Sequence, residues 1–208
     1  MSLLHYFGNN PDKRAQFIFN FIAPIYGYVD AGLQKSFAIS ADLLNKEIEI
    51  KGKRILDVGC GTGAWLTSLS KHNPAVCVGA DFSDKMLNEA KSKHSDFRFE
   101  KARAEDLSIF QDNEFDIVTA SYVLHGVTKA PRSEMLKEMQ RVAKEYVIIH
   151  DFYGKTAPFV QFLEFMERSD YKNFKKHFAE EMNSQFEEAK MIDTETGTGL
   201  YIGAVLTK

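Results

Sequence analysis

A chain of 208 residues, 44% hydrophobic and 26% charged, has the composition of an ordinary globular protein of one domain, or one domain with a small addition. A net charge of -3 and a pI near 6.1 give no electrostatic footprint for duplex nucleic acid, which calls for a basic face. Two cysteines, Cys60 and Cys77, make neither a disulfide framework nor a metal quartet, so no metal site is expected.

The first 50 residues precede any strand signal. Asn10, Pro11 and Asp12 mark a turn and a helix start, and Phe17, Ile18, Phe21 and Ile22 recur at helical spacing. Residues 23–28, with Pro24 and Gly27, break that pattern. A second helix is expected over about 30–47, with Leu33, Phe37, Ile39, Ala41, Leu43 and Leu44 on its buried side. The start lacks a basic stretch followed by a long apolar run, and no run of 18 apolar residues follows, so neither a signal peptide nor a membrane span is expected. Two isolated thiols fit a reducing, cytoplasmic setting.

Residues 54–63 read RILDVGCGTG. Ile55, Leu56 and Val58 form the apolar run of a buried parallel strand. Gly59, Gly61 and Gly63 permit a sharp turn and the close approach of a ligand, and Cys60 sits between them where a small side chain is wanted. A helical pattern then begins at Ala64 and is stopped by Asn73 and Pro74. Asp57 is a carboxylate inside the strand, costly unless it finds a donor. It either braces the loop or meets a cationic group on a ligand.

The stretch resembles motif I of the class I methyltransferases that use S-adenosylmethionine, and the similarity runs from about residue 40 to the C-terminus. Gly59, Gly61 and Ala64 also satisfy the looser dinucleotide pattern, so the downstream chain must decide. Residues 76–80 form a second strand closed by Asp81, about 20 residues past the glycines, where both nucleotide-binding families place a ribose ligand. Ser83 is the expected N-cap of the next helix, whose inner face is Met86, Leu87 and Ala90. VGADFSDKML resembles the family's second motif, which implies that Asp81 binds the ribose diol while Phe82 and Met86 flank the adenine.

Residues 97–101 alternate as a strand does. At the following turn the family uses an Asp-Ala pair to hold the adenine, but this chain has Arg103-Ala104. The resemblance therefore leaves the backbone of Ala104, with Glu105 nearby or Asp106, to hold the base. Residues 115–120 form a fourth strand ending in Ser121, and SYVLHGV resembles the fourth motif of small-molecule enzymes. It is neither the Pro-Pro box of amino-directed DNA methyltransferases nor the Pro-Cys pair of pyrimidine C5 enzymes. Pro131 is expected to open the next helix, and residues 146–149 a fifth strand ending in His150-Asp151. Two helices are expected over 159–188, with Phe174, Phe178, Met182 and Phe186 as a core stripe, then strands at 190–195 and 200–206 joined by a turn at 197–199.

The resemblance implies an α/β fold: a Rossmann-like, seven-stranded, mostly parallel sheet of order 3-2-1-4-5-7-6, last strand antiparallel, with helices on both faces. Residues 1–50 are an N-terminal helical segment, a lid within the same domain, and residues 51–208 the methyltransferase domain. In many similar enzymes a tyrosine of such a lid, here Tyr26, closes on the methionine end of the cofactor. The expected activity is methyl transfer from S-adenosylmethionine to a small-molecule acceptor, in a chain closest to the group that includes the ubiquinone and menaquinone C-methyltransferases. Candidate cofactor residues are Tyr26, Asp57, Gly59, Cys60, Gly61, Gly63, Asp81, Phe82, Met86, Ala104, Glu105 and Ser121. His125 and His150, each near a strand end, are the candidate bases, since imidazole titrates near neutrality. A non-catalytic S-adenosylmethionine-binding partner or regulator is the alternative, and an NAD-dependent oxidoreductase a more remote one.

Overall fold

The computed structural model describes residues 26–167 and 169–205, with side chains described from residue 33 onward except at 159, 163, 166 and 167. Helix α1 spans Tyr26–Glu47, four residues longer at its start than the sequence suggests. Gly27 and Tyr28 fall in its first turn, where backbone N–H groups have no intrahelical partner and a glycine costs little. Phe37, Ala41 and Leu44 are buried at spacings of four and three, and Leu33, Ile39 and Leu43 are half-buried beside them. The helix expected around residues 17–22 lies outside the described residues.

Strands β1 (Arg54–Val58), β2 (Val76–Asp81), β3 (Arg98–Lys101), β4 (Phe115–Ser121) and β5 (Ala143–Phe152) pair in parallel. Helices α2 (Ala64–Ser70), α3 (Asp84–Lys93) and α4 (Lys129–Val142) connect them. After β5 come α5 (Pro158–Glu167), α6 (Tyr171–Gln185), β6 (Glu188–Asp193) and β7 (Thr198–Ala204). The sheet order is β3-β2-β1-β4-β5-β7-β6, with β7 antiparallel to both neighbours, as the sequence implied.

Successive side chains of a strand point to opposite faces, and the sheet is buried on both. Leu56, Val118, Val147 and Ile149 pack with Leu136 and Met139 of α4 and the stripe Phe174, Phe178, Met182 and Phe186 on and just past α6. Ile55, Ile117 and Ile148 pack the other way, against Phe37, Ala41 and Leu44 of α1, Trp65 and Leu66 of α2, and Leu87 of α3. The part of α1 from Phe37 onward is thus core, not a detached cover.

Other boundaries also differ from expectation, with β6 starting and ending two residues earlier than the expected 190–195. Helix α4 starts at Lys129, which places Pro131 inside its first turn; the missing N–H has no intrahelical partner there in any case. Strand β5 extends to Ala143 and Phe152 because β4 and β7 pair along it. Thr198 and Gly199 belong to β7, and the turn lies over 194–197, where Glu195 (φ 60°) and Gly197 (φ 83°) take the left-handed conformation that reverses the chain. Among the described residues no helix is long and apolar enough to cross a membrane.

Candidate active site

The order β2-β1-β4 reverses strand succession at β1, and the carboxyl ends of β1, β2, β4 and β5 carry Asp57, Asp81, Ser121 and His150. Above them the glycine loop is tightly tied down. Gly59 N–H and Cys60 N–H donate to Ala80 O at 2.7 and 3.0 Å, and Gly63 N–H donates to Cys60 O at 2.9 Å. Gly61 N–H donates to Asp81 Oδ2 at 2.9 Å, while Asp81 Oδ1 accepts from Ser83 N–H at 2.8 Å. Gly59 is required twice over: its φ is 71°, and a Cβ there would lie 2.6 Å from Val123 Cγ2. Loop amides turned inward in this way are poorly placed for a pyrophosphate. That geometry argues against a dinucleotide.

Asp57 lies beneath the loop, 1% exposed. Its Oδ1 is buried with no hydrogen-bond partner among the described residues. Burial, and then the neighbouring Asp81 charge, raise its pKa well above the ordinary carboxylate range. An orphaned buried carboxylate oxygen fits a ligand that brings a cationic donor. The same surroundings, burial first and then Asp57 and Asp81, raise the Cys60 thiol, so Cys60 is a neutral filler of the loop. Burial likewise pushes Cys77 up to about 11.

Beyond Asp81, the Phe82 ring is 52% exposed and forms one wall of a cavity of about 340 Å³ with Ala102, Arg103, Asp106 and Ile109. Asp106 N–H donates to Arg103 O at 3.1 Å, so a tight turn folds Asp106 back across from Arg103. Glu105 pairs instead with the Arg103 guanidinium at 2.6 Å. Of the two acids near Ala104, Asp106 faces the cavity and Glu105 is engaged by Arg103. Met86 is half-buried, one turn into α3, and its N–H donates to the capping Ser83 Oγ at 3.4 Å. Tyr26 begins α1, and its side chain lies outside the described residues.

On the other side of the crevice, His125 sits in a short 3-10 turn, Leu124–Gly126, after β4. Its Nδ1 is 2.8 Å from Asp151 Oδ1, and its backbone N–H donates to Asp151 Oδ2 at 3.2 Å. Its Nε2 is 3.5 Å from Glu164 Oε2 on α5. The rings of Phe152 and Tyr122 stand edge-on to it at 4.8 and 6.5 Å, with Tyr171 beyond Phe152 at 5.0 Å. Tyr122 holds φ 54°, an uncommon conformation for a bulky residue and one often found at functional sites.

The two candidate histidines are not alike. His150 is fully buried, stacked on Trp65 at 4.9 Å, with Nδ1 2.8 Å from Ser121 Oγ and Nε2 3.0 Å from both Ser40 Oγ and Thr198 Oγ1. Burial lowers its pKa to about 4 despite the opposing Asp151 charge. A fully buried ring, enclosed by three hydroxyls and with its pKa lowered to about 4, is a poor base, so the candidacy of His150 as a base does not fit its setting.

Sequence reasoning put Asp151 at the end of the fifth strand, where it faces the crevice, but gave it no role and did not pair it with His125. It also passed over Arg132. That guanidinium, 1% exposed, donates to Leu124 O at 3.0 Å and Val127 O at 2.8 Å, either side of His125, and pairs with Glu181 and Asp170 at 2.8 and 3.1 Å. An arginine after a proline in a helix carries no local sign of such burial.

A family model described as a methyltransferase domain matches residues 55–146. The chain is 40% identical over 105 residues to a demethylmenaquinone methyltransferase of Staphylococcus saprophyticus, covering 48% of this chain and 44% of that one. It is 32% identical over 161 residues to a 2-phytyl-1,4-naphtoquinone methyltransferase of Nostoc punctiforme, covering 70% and 67%. The chain thus spans less than half the length of the staphylococcal relative and two thirds of the cyanobacterial one. A magnesium protoporphyrin IX methyltransferase from Synechocystis, solved with bound S-adenosylhomocysteine, shares the fold at a TM-score of 0.65 and 19% identity over 99% of this chain and 98% of that one. The sheet and the glycine loop define an open, Rossmann-like α/β protein, with an acid at the carboxyl end of each of β1 and β2. The chain belongs to the class I S-adenosylmethionine-dependent methyltransferases.

Proposed function

We propose that this protein transfers the methyl group of S-adenosylmethionine to a small, partly apolar ring compound bearing an acidic proton, of the phenol or quinol type. The observation that carries the reading is Asp57 Oδ1, a buried carboxylate oxygen without a partner among the described residues, beneath a loop whose amides face inward. The acceptor class is supported by the names of the quinone-methylating relatives and by the aromatic wall of Tyr122, Phe152 and Tyr171.

The cofactor, when bound, supplies an electrophilic methyl on a sulfonium. The protein must then align the acceptor, exclude water and remove a proton. In our reading Asp57 holds the ammonium of the methionine tail and Asp81 the ribose hydroxyls, while Gly59, Cys60, Gly61 and Gly63 shape the loop. Phe82 and Met86 flank the adenine beside the Ala104 backbone. Asp106 takes the place of the missing adenine acid, rather than Glu105. Ser121 faces the reacting end, and Tyr26 belongs to a lid formed by the residues ahead of Phe37, since the rest of the segment 1–50 packs as core. His125 takes the acceptor proton at Nε2, and Asp151 fixes the ring from Nδ1 and stabilises the imidazolium. Removing that proton raises electron density on the ring atom that receives the methyl. The two buried free thiols support a reducing, cytoplasmic setting.

Isothermal titration with S-adenosylmethionine, S-adenosylhomocysteine and NAD tests the cofactor site, with binding expected for the first two alone. Labelled methyl transfer to 1,4-naphthoquinol and catechol tests turnover. Tight NAD binding would sink the reading. Cofactor binding with no transfer to any acidic ring acceptor would leave a binding module instead.

A further inference from the structure

His150 takes no part in the chemistry proposed above, yet it is fully buried and touches three hydroxyls. A neutral imidazole has one N–H donor and one bare acceptor nitrogen, so the question is which nitrogen carries the hydrogen.

The surrounding hydroxyls answer it. Thr194 Oγ1 donates to the Thr198 carbonyl at 2.9 Å. Thr194 Oγ1 also lies 2.6 Å from Thr198 Oγ1, a contact that needs a proton between the oxygens. With the Thr194 proton directed to the carbonyl, Thr198 must supply it. Thr196 Oγ1 lies 2.7 Å from Thr194 Oγ1, 3.0 Å from Thr198 Oγ1 and 2.9 Å from Ser36 Oγ, and a Thr194 proton sent to Thr196 instead of the carbonyl still leaves Thr198 to supply the 2.6 Å contact. The Thr198 hydroxyl therefore turns its proton away from His150 and offers it a lone pair. Ser40 Oγ has His150 as its partner and can accept as readily as donate. A bare Nε2 would leave the Thr198 contact with a lone pair on each side, so Nε2 is the donor and both oxygens at 3.0 Å accept from it. Nδ1 is left bare, and the Ser121 hydroxyl at 2.8 Å donates to it.

We infer that the Thr194–Thr198 hydroxyl pair locks His150 as its Nε2–H tautomer, and that this commits the Ser121 proton inward and leaves Ser121 a hydrogen-bond acceptor toward the crevice. The ligand group that meets Ser121 is then a donor, either the ammonium of the cofactor or an O–H or N–H of the methyl acceptor. The ligand side of this inference rests on the methyltransferase reading; the tautomer does not.

The tautomer is read directly by two-bond proton–nitrogen correlation spectra of the whole protein labelled with 15N-histidine, with the His150 signals assigned by their loss in His150→Gln. A single Nε2–H pattern is expected at pH 7, retained in Thr198→Ser and replaced by mixed tautomers in Thr194→Val. An Nδ1–H or doubly protonated pattern in the unsubstituted protein overturns the inference, whether or not the variants fold. Titration of Ser121→Ala with S-adenosylhomocysteine locates the donor. A loss of about tenfold puts it on the cofactor, the size of one hydrogen bond, and unchanged affinity puts it on the acceptor. Failure of the unsubstituted protein to bind S-adenosylhomocysteine would overturn the methyltransferase reading and leave the tautomer standing.

Discussion

His125 and Asp151 are joined twice: Nδ1 lies 2.8 Å from Oδ1, and the His125 backbone N–H reaches Oδ2 at 3.2 Å. One carboxylate therefore fixes both the ring and the main chain that carries it. It is itself held by the Phe152 N–H, which donates to Oδ1 at 2.8 Å. Asp151→Asn keeps the size and removes the charge that would stabilise an imidazolium. The rate of methyl transfer to an acidic ring acceptor is expected to fall about 100-fold, within the usual range for general-base catalysis, with S-adenosylhomocysteine affinity within about twofold. Unchanged turnover would remove His125 from the mechanism.

Asp57 has the opposite design, a carboxylate without a local donor. Its folded-state pKa is raised by burial and by Asp81, so the protonated form suits the ligand-free protein. The linked stability is fully present below the unfolded carboxylate pKa and is lost as pH rises through the raised folded value. Asp57→Asn removes this dependence, so urea unfolding of the ligand-free variant should weaken less between pH 4 and 7 than that of the parent, a window starting at about the free carboxylate pKa. The same substitution should weaken S-adenosylmethionine binding by about 10- to 100-fold, the range of a hydrogen bond to a charged group. A variant that binds the cofactor as well as the parent would show that Asp57 only braces the loop.

The parallel strands and the glycine loop were legible because their signals are local: Ile55, Leu56 and Val58 run straight into Gly59. The sheet order followed from resemblance and was met in full. What the sequence concealed depends on contacts between distant segments. Ser40, Ser121 and Thr198 meet around His150 from positions up to 158 residues apart along the chain, and no spacing rule connects them. Arg132 reads as a surface helix residue until Glu181 and Asp170 close over it. Glu105 and Asp106 could not be separated by sequence, because the distinction lies in the turn that brings position 106 across from Arg103.

His150 links pH to stability with the reverse sign to Asp57. Burial lowers its folded pKa to about 4, below the unfolded 6.5. Its contribution is complete above the unfolded value and is lost as pH falls from 6.5 toward 4. The shift corresponds to roughly 3 kcal/mol across that window. Because Asp57 acts in the opposite direction over an overlapping range, the parent profile is a difference of two slopes, and single variants are needed to separate them. His150→Gln should lose the acid-side decline between pH 6.5 and 4 relative to the parent, whatever its absolute stability. Equal slopes in urea denaturation across that range would show that His150 is solvated or charged in the native protein.

Arg132 gives a prediction about coupling. Its guanidinium faces two backbone carbonyls and two carboxylates, and stands 5.2 Å from the Phe174 ring centroid. Arg132→Met leaves Glu181, itself buried, without its cation, and removing one partner of a buried pair costs about 3–5 kcal/mol. Adding Glu181→Gln removes the stranded charge and should recover part of that loss, with a coupling of about 1–3 kcal/mol in a double-variant cycle from urea unfolding. Additive losses would mean that the carboxylate finds water or another donor once Arg132 is gone. Because Leu124 O and Val127 O flank His125, the double variant should still turn over slowly even where its stability recovers. Stability and rate recovering together would show that the His125 turn holds its shape without the arginine.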